Sequence, residues 1–197
     1  MSLLNTLIAT TLPFIPKAIV GKVSRRYIAG ITLDDALRQV TQVNAKRMMA
    51  TLDLLGEDVH DRSVASSMKD SCIRMFREIQ KSRHDSNVSI KLSQLGLRID
   101  KELCFANVKE IVAAARTLGN FVRIDMEDSS TADDTLEIYR RLRAEGFENV
   151  GVVIQAYLKR SKSDVQSLVK EKANFRICKG IYLEAPEIAF QDREEIR

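Results

Sequence analysis

The chain has only two histidines and three cysteines among its 197 residues. His60 and His84 offer little material for a histidine-ligated metal or a histidine-based catalytic triad. Cys72, Cys104 and Cys178 are odd in number and form no C-x-x-C pair. That argues against a disulfide framework and a zinc site, and for reduced thiols in a cytoplasmic compartment. No long apolar run is unbroken. The stretch SLLNTLIATTLPFIPKAIVG is interrupted by Pro13 and Pro16 and lacks a basic start and a clear small-residue cleavage site, so it matches neither a membrane span nor a signal peptide. It reads as part of an N-terminal helical arm over residues 1–48 that packs on the domain, with a peripheral membrane or partner contact as the alternative. A low-complexity linker is also lacking. The net charge of +4 is mild. Lys and Arg are dispersed among acids rather than drawn into a basic stripe with aromatics, so nucleic acid is not an expected partner.

What remains is a length sufficient for one domain with its own core. The Thr32–Asp35 pair resembles a capping box and opens a helix to about Lys46. A strand over 49–57 follows, then an amphipathic helix over 63–82 with Val64, Met68, Ile73, Phe76 and Ile79 near helical spacing. SIKLSQLG (89–96) reads as the second strand, and a helix over 101–118 ends at Gly119. FVRIDMED (121–128) is the third strand. Thr131 and Asp134 cap a helix that stops at Gly146. VGVVIQAY (150–157) is the fourth strand, Ser163 caps the next helix, and FRICKGIY (175–182) is the fifth strand. Pro186 opens a final helix.

Strict β–α alternation predicts an α/β fold with parallel strands and right-handed crossovers. No G-x-G-x-x-G follows the first strand, which lowers the open nucleotide-binding sheet. Polar residues inside several strands favour a TIM-type (βα)8 barrel, where one face of every strand points at a common axis. Residues 49–197 supply about five of its β–α units. Alternation puts Ser89, Lys91 and Ser93 on one face, with Arg123, Asp125 and Glu127, Val153, Gln155 and Tyr157, and Arg176 and Cys178 on the equivalent faces of their strands.

Two cations, a carboxylate and an amide suit a polar, anionic ligand. Lys91 and Arg176 could hold a carboxylate or phosphate. Asp125 could orient Arg176 or accept from a ligand amine. Gln155 both donates and accepts, which suits a heteroaromatic edge. The backbone at Lys179–Gly180 could approach a phosphate closely. Glu127 and Arg123 are each also readable as a rim salt bridge. Cys178 reads as a small core residue rather than a nucleophile.

Five segments in order resemble the flavin-dependent proline dehydrogenase family: LDLLGE (52–57), SIKLSQLG, RIDMED (123–128), VVIQAYLKRS (152–161) and RICKGIYLE (176–184). The resemblance runs from about Ala50 to the C-terminus. It implies a distorted (βα)8 barrel holding non-covalent FAD, oxidation of L-proline to Δ1-pyrroline-5-carboxylate, and electrons passed to a membrane quinone. By resemblance, Asp125 and Arg176 are catalytic, with Arg176 near flavin N5. Met126, Gln155, Lys179, Gly180 and Ile181 contact FAD. Lys91 contacts the proline carboxylate, Tyr182 lines the pocket, and Glu57 gates the entrance by pairing with a late arginine. Position 181 is Ile where the family commonly has Ala. The family's three further strands and its Tyr-x-x-Arg-Arg helix have no counterpart here. A fragment, incomplete and inactive alone, is therefore expected, with a complementary C-terminal half of the barrel as partner. Two alternatives stay open. One is another barrel enzyme with a phosphate-bearing ligand, aldolase-like through a Lys91 or Lys179 Schiff base, or a flavin reductase. The other is a non-catalytic half-barrel.

Overall fold

The computed structural model describes residues 29–196, so most of the expected N-terminal arm lies outside the described residues. The elements in chain order are α1 (Leu33–Ala45), β1 (Ala50–Asp53), α2 (Arg62–Lys81), β2 (Ser86–Ile90), a 3-10 turn (Ser93–Leu95), α3 (Lys101–Thr117), β3 (Val122–Ile124), a 3-10 turn (Ser129–Thr131), α4 (Ala132–Ala144), β4 (Val150–Gln155), α5 (Ser161–Lys170) and β5 (Phe175–Cys178). The strands form one parallel sheet in the order β1-β2-β3-β4-β5. Each helix returns the chain to the start of the next strand, as a parallel crossover requires. The result is the curled, five-stranded portion of a TIM-type barrel.

Local chemistry explains most of the boundaries. Thr32 Oγ1 accepts from Asp35 N at 3.2 Å and Asp35 Oδ2 from Thr32 N at 3.1 Å, which completes the capping box of α1. Asp61 and Asp100 cap α2 and α3 by accepting from Ser63 N and Leu103 N, each at 2.7 Å. The inner stripe of α2 is Ala65, Cys72, Met75, Phe76 and Ile79. Val64, expected in that stripe, is exposed. One core runs through the fold, from Leu37 and Val40 on α1, through Val88, Ile90, Val122, Ile124, Val152 and Ile154 on the strands, to Leu168 on α5. Burial pushes the Cys72 thiol up to about 12, so it is a neutral core side chain.

Three expected features differ. Thr131 and Ser163 do not cap through their hydroxyls. Thr131 Oγ1 donates to Asp128 O and Ser163 Oγ to Arg160 O. Asp128 instead caps the preceding 3-10 turn by accepting from Ser130 N. No helix follows Pro186 among the described residues. A single turn forms, with Ala189 N donating to Ala185 O, and goes no further because Phe190 N donates to Tyr157 O and Lys159 N donates to Ile188 O. The strands are also shorter than expected, and the second is displaced: β2 is Ser86–Ile90 rather than 89–96, because Ser93–Leu95 turn into a 3-10 helix. Lys91 and Asp125 lie one residue beyond the ends of β2 and β3.

Arg123 forms no salt bridge among the described residues. Its guanidinium lies over the Phe121 ring and donates to Asn174 O and Oδ1 at 3.3 and 2.8 Å. To reach them it crosses Gly151, its register partner on β4. A Cβ on Gly151 would sit 2.4 Å from Arg123 Nη1 and 2.6 Å from Asn174 O. Gly151→Ala is therefore expected to destabilise the fold by about 1–3 kcal/mol through overpacking, read as a lower urea midpoint at unchanged denaturant slope.

Candidate functional site

Register brings the site together. Ile90 pairs with Ile124, Ile124 with Val152, and Val152 with Phe175. The next residues on three of these strands are Lys91, Asp125 and Arg176, which therefore reach one level, just past the ends of β2 and β3 and two residues before the end of β5. On β1, Asp53 pairs with Ser89, two residues before Lys91 and on the same face. Asp53, Lys91, Asp125 and Arg176 thus form a row of alternating charge.

Two ion pairs build the row. Lys91 Nζ donates to Asp53 Oδ2, and Arg176 Nη2 to Asp125 Oδ1 at 3.0 Å. The lysine is largely enclosed, with its side chain 13% exposed. Burial works against the ammonium. Asp53, Asp125 and Glu57 outweigh it and hold the pKa above the ordinary lysine value. Burial raises the Asp125 pKa above the ordinary aspartate value, against the opposing influence of Ser89, Lys91 and Arg176.

Gln155 closes β4 and is buried. Its Nε2 donates to Met126 O at 2.8 Å and Glu127 O at 2.7 Å. Both amide hydrogens are thus used, and the amide orientation is set. Gln155 Oε1 is buried with no protein partner. The side chain therefore does not both donate and accept toward a ligand, as its chemistry alone allows. It presents an acceptor only. Such an orphan is costly unless a ligand donor or a water meets it.

Glu127, readable from sequence as a rim salt bridge, has no cationic partner within salt-bridge distance among the described residues. It is buried and accepts from Ser93 N at 2.9 Å and from Ser93 Oγ. Burial raises its pKa, against the two Ser93 bonds. Ser93 Oγ in turn accepts from Asp58 N at 3.1 Å, tying the loop after β2 to the loop after β1.

Across the mouth, Tyr182 Oη donates to Glu57 Oε1 at 3.3 Å. Burial and the Glu57 charge both raise the Tyr182 pKa, so the phenol stays protonated. Lys179, Gly180 and Ile181 continue the rim after β5, with Ile181 exposed. Gly180 has φ +109°, and a Cβ there would lie 2.1 Å from the Tyr157 ring. The packed tyrosine is thus sufficient reason for the glycine. The Met126 side chain belongs to the core, and its carbonyl faces Gln155. Cys178 is exposed rather than core, because β5 has a strand neighbour on one side only.

Sequence reasoning missed Asp53 and Glu184, and placed Ser93 on the site face without its bond to Glu127. Asp53 carried a legible signal, since an aspartate in a short strand is as anomalous as Asp125. Glu184 carried none. Glu184 accepts from Ser129 N at 2.6 Å and Ser129 Oγ at 2.7 Å, latching the loop after β5 to the start of α4.

The native Asp125 carboxyl keeps its proton to higher pH than an unfolded aspartate. Its contribution to stability is therefore full below the unfolded value and is lost as pH rises through the raised native value. Lys91→Met removes a charge that lowers this pKa. Carbon-13 NMR of the Asp125 carboxyl should show titration at higher pH in that variant, and an unchanged midpoint would contradict the electrostatic link.

The chain matches a family model described as proline dehydrogenase over residues 36–193. It is 36% identical over 170 residues to "Proline dehydrogenase 1" of Bacillus subtilis (strain 168), covering 86% of this chain and 56% of that protein. It is 34% identical over 177 residues to "Proline dehydrogenase" of Deinococcus radiodurans, covering 88% and 57%. The chain thus spans little more than half the length of these curated relatives. Among solved structures, proline utilization A (PutA) from Bdellovibrio bacteriovorus, inactivated by N-propargylglycine, aligns with a TM-score of 0.74 at 23% identity, covering 86% of this chain and 22% of that one. That likeness supports the barrel fold.

Proposed function

This chain belongs to the proline dehydrogenase family, and from that premise we propose that it carries one wall of a site oxidising L-proline to Δ1-pyrroline-5-carboxylate with FAD. The observation that carries the reading is the single level at which Lys91, Asp125 and Arg176 meet. Proline is a zwitterion. Lys91 gives one N–H to Asp53 and has two more for a carboxylate, and Asp125 accepts from the ring amine. Tyr182 and Glu57 cover the mouth and limit the entry of water. No helix among the described residues is long and apolar enough to cross a membrane.

The donor set fits a flavin. Gln155 Oε1 is a buried acceptor in need of an N–H donor, and a flavin ring carries one. Gln155, the main chain at Met126, and Lys179, Gly180 and Ile181 would hold the cofactor. Bound FAD supplies the acceptor for the hydride leaving proline. Arg176, half-exposed on β5, provides fixed positive charge where negative charge develops. The proposal extends to a quinone as final electron acceptor, a cytoplasmic setting with peripheral membrane contact, and a complementary half-barrel as partner.

One observation disfavours the Lys91 route of the aldolase-like alternative. A Schiff-base lysine works through a lowered pKa, and that of Lys91 is raised. The test is a visible spectrum of the chain with FAD, alone and co-expressed with the part of Bacillus subtilis proline dehydrogenase 1 that it does not match. The expected result is a yellow complex bleached by L-proline only in the co-expressed sample. Lys91→Ala should raise the half-saturating proline concentration at least about tenfold, as loss of a charge-assisted bond worth about 1.4 kcal/mol or more predicts. Failure of proline to bleach a yellow complex would refute the assignment.

A further inference from the structure

Asp53 has no role in the function proposed above beyond touching Lys91, yet its placement is specific. It is the last residue of β1, and parallel register sets it opposite Ser89, diagonal to Lys91 on one face of the sheet. Lys91 turns its ammonium down onto this carboxylate rather than out to solvent, and its side chain is only 13% exposed while that of Asp53 is 38% exposed. A lysine head on a four-carbon stem otherwise samples many rotamers. We propose that Asp53 is a positioning residue that pins the Lys91 ammonium and cancels its charge, so that the site favours a zwitterionic amino acid over a bare carboxylate.

The charge count supports this. Asp53 cancels Lys91 and Asp125 cancels Arg176 within two ion pairs, which suits a ligand whose own charges cancel. Removing Asp53 shifts the site by one positive charge toward simple anions. The groups facing Lys91 are Asp53 from β1, Glu57 from the loop after it, Asp125 after β3, and Glu127 two residues further on. Cys72 faces Asp53 from α2 and is neutral. Asp53 therefore has no other cation to serve among the described residues, and its carboxylate is committed to Lys91.

The inference rests on the reading of Lys91 as the carboxylate anchor, and the test separates the two. The chain and its Asp53→Asn and Asp53→Ser variants, each co-expressed with the part of Bacillus subtilis proline dehydrogenase 1 that the chain does not match, are titrated by carbon-13 NMR of the lysine ε-methylenes, with the Lys91 signal assigned through Lys91→Arg. The same signal then follows additions of L-proline and of cyclopentanecarboxylate, which keeps the ring and carboxylate but lacks the amine. With Asp53 intact, Lys91 should titrate above ordinary lysines. In both variants the midpoint should fall, because burial then acts with less opposition. The affinity ratio should move about tenfold toward cyclopentanecarboxylate, the change that about 1.4 kcal/mol of altered charge balance brings. An unmoved Lys91 midpoint, or an unchanged affinity ratio, overturns the role of Asp53. A midpoint that falls as expected, in a co-expressed sample whose Lys91 signal responds to neither ligand, upholds the pin and overturns the anchor reading.

Discussion

The register of the parallel ladder is the constraint on which the rest of the site depends. Ile90, Ile124, Val152 and Phe175 stand in one row because backbone bonds, not side chains, set that alignment. A slip of one residue on any strand would turn its polar residue from the axis to the helix layer. It would also push a β-branched core residue into the pocket. Packing and chemistry thus enforce the same alignment. The apolar side chains buried against α2, α3 and α4 hold in place the charges that face the other way.

Polar satisfaction reinforces that alignment at the rim. Glu127 acts in two directions, its carboxylate holding Ser93 and its carbonyl holding Gln155. Ser93 links onward to Asp58, while Arg98 joins Asp58 to Asp128. Glu184 secures Ser129 on the far side. Loops after four strands are therefore mutually tied before any ligand arrives, and the Lys91 and Asp125 groups project from a braced frame. Gln155 Oε1 stands out within that frame as a buried acceptor left unmet.

Much of this was legible in the sequence. Alternation of apolar and polar residues gave the strands, their shared face and the barrel, because side-chain parity survives errors in strand length. Lys91, Asp125, Gln155 and Arg176 stood out because each interrupts an apolar run. What escaped depended partly on contacts between distant segments and partly on local competition for hydroxyls. Glu127 has no cation beside it because Ser93, 34 positions away, supplies both donors. Thr131 and Ser163 look like caps, yet their hydroxyls turn to nearby carbonyls. Cys178 reads as core only if its strand has neighbours on both sides. Asp53 was legible as an anomalous strand aspartate, but its partner Lys91 is a diagonal neighbour that only the register reveals.

The Tyr182–Glu57 bond joins positions 125 residues apart, a far longer span than any pairing of adjacent strands. Each β–α–β step closes a loop of a few dozen residues and can form on its predecessor. The closing bond needs all of them in place first, so kinetically it belongs at the end of folding. A single solvent-exposed hydrogen bond, long at 3.3 Å even with a charged acceptor, also holds little free energy. The mouth of the site can therefore part and rejoin many times without loosening the strands beneath it.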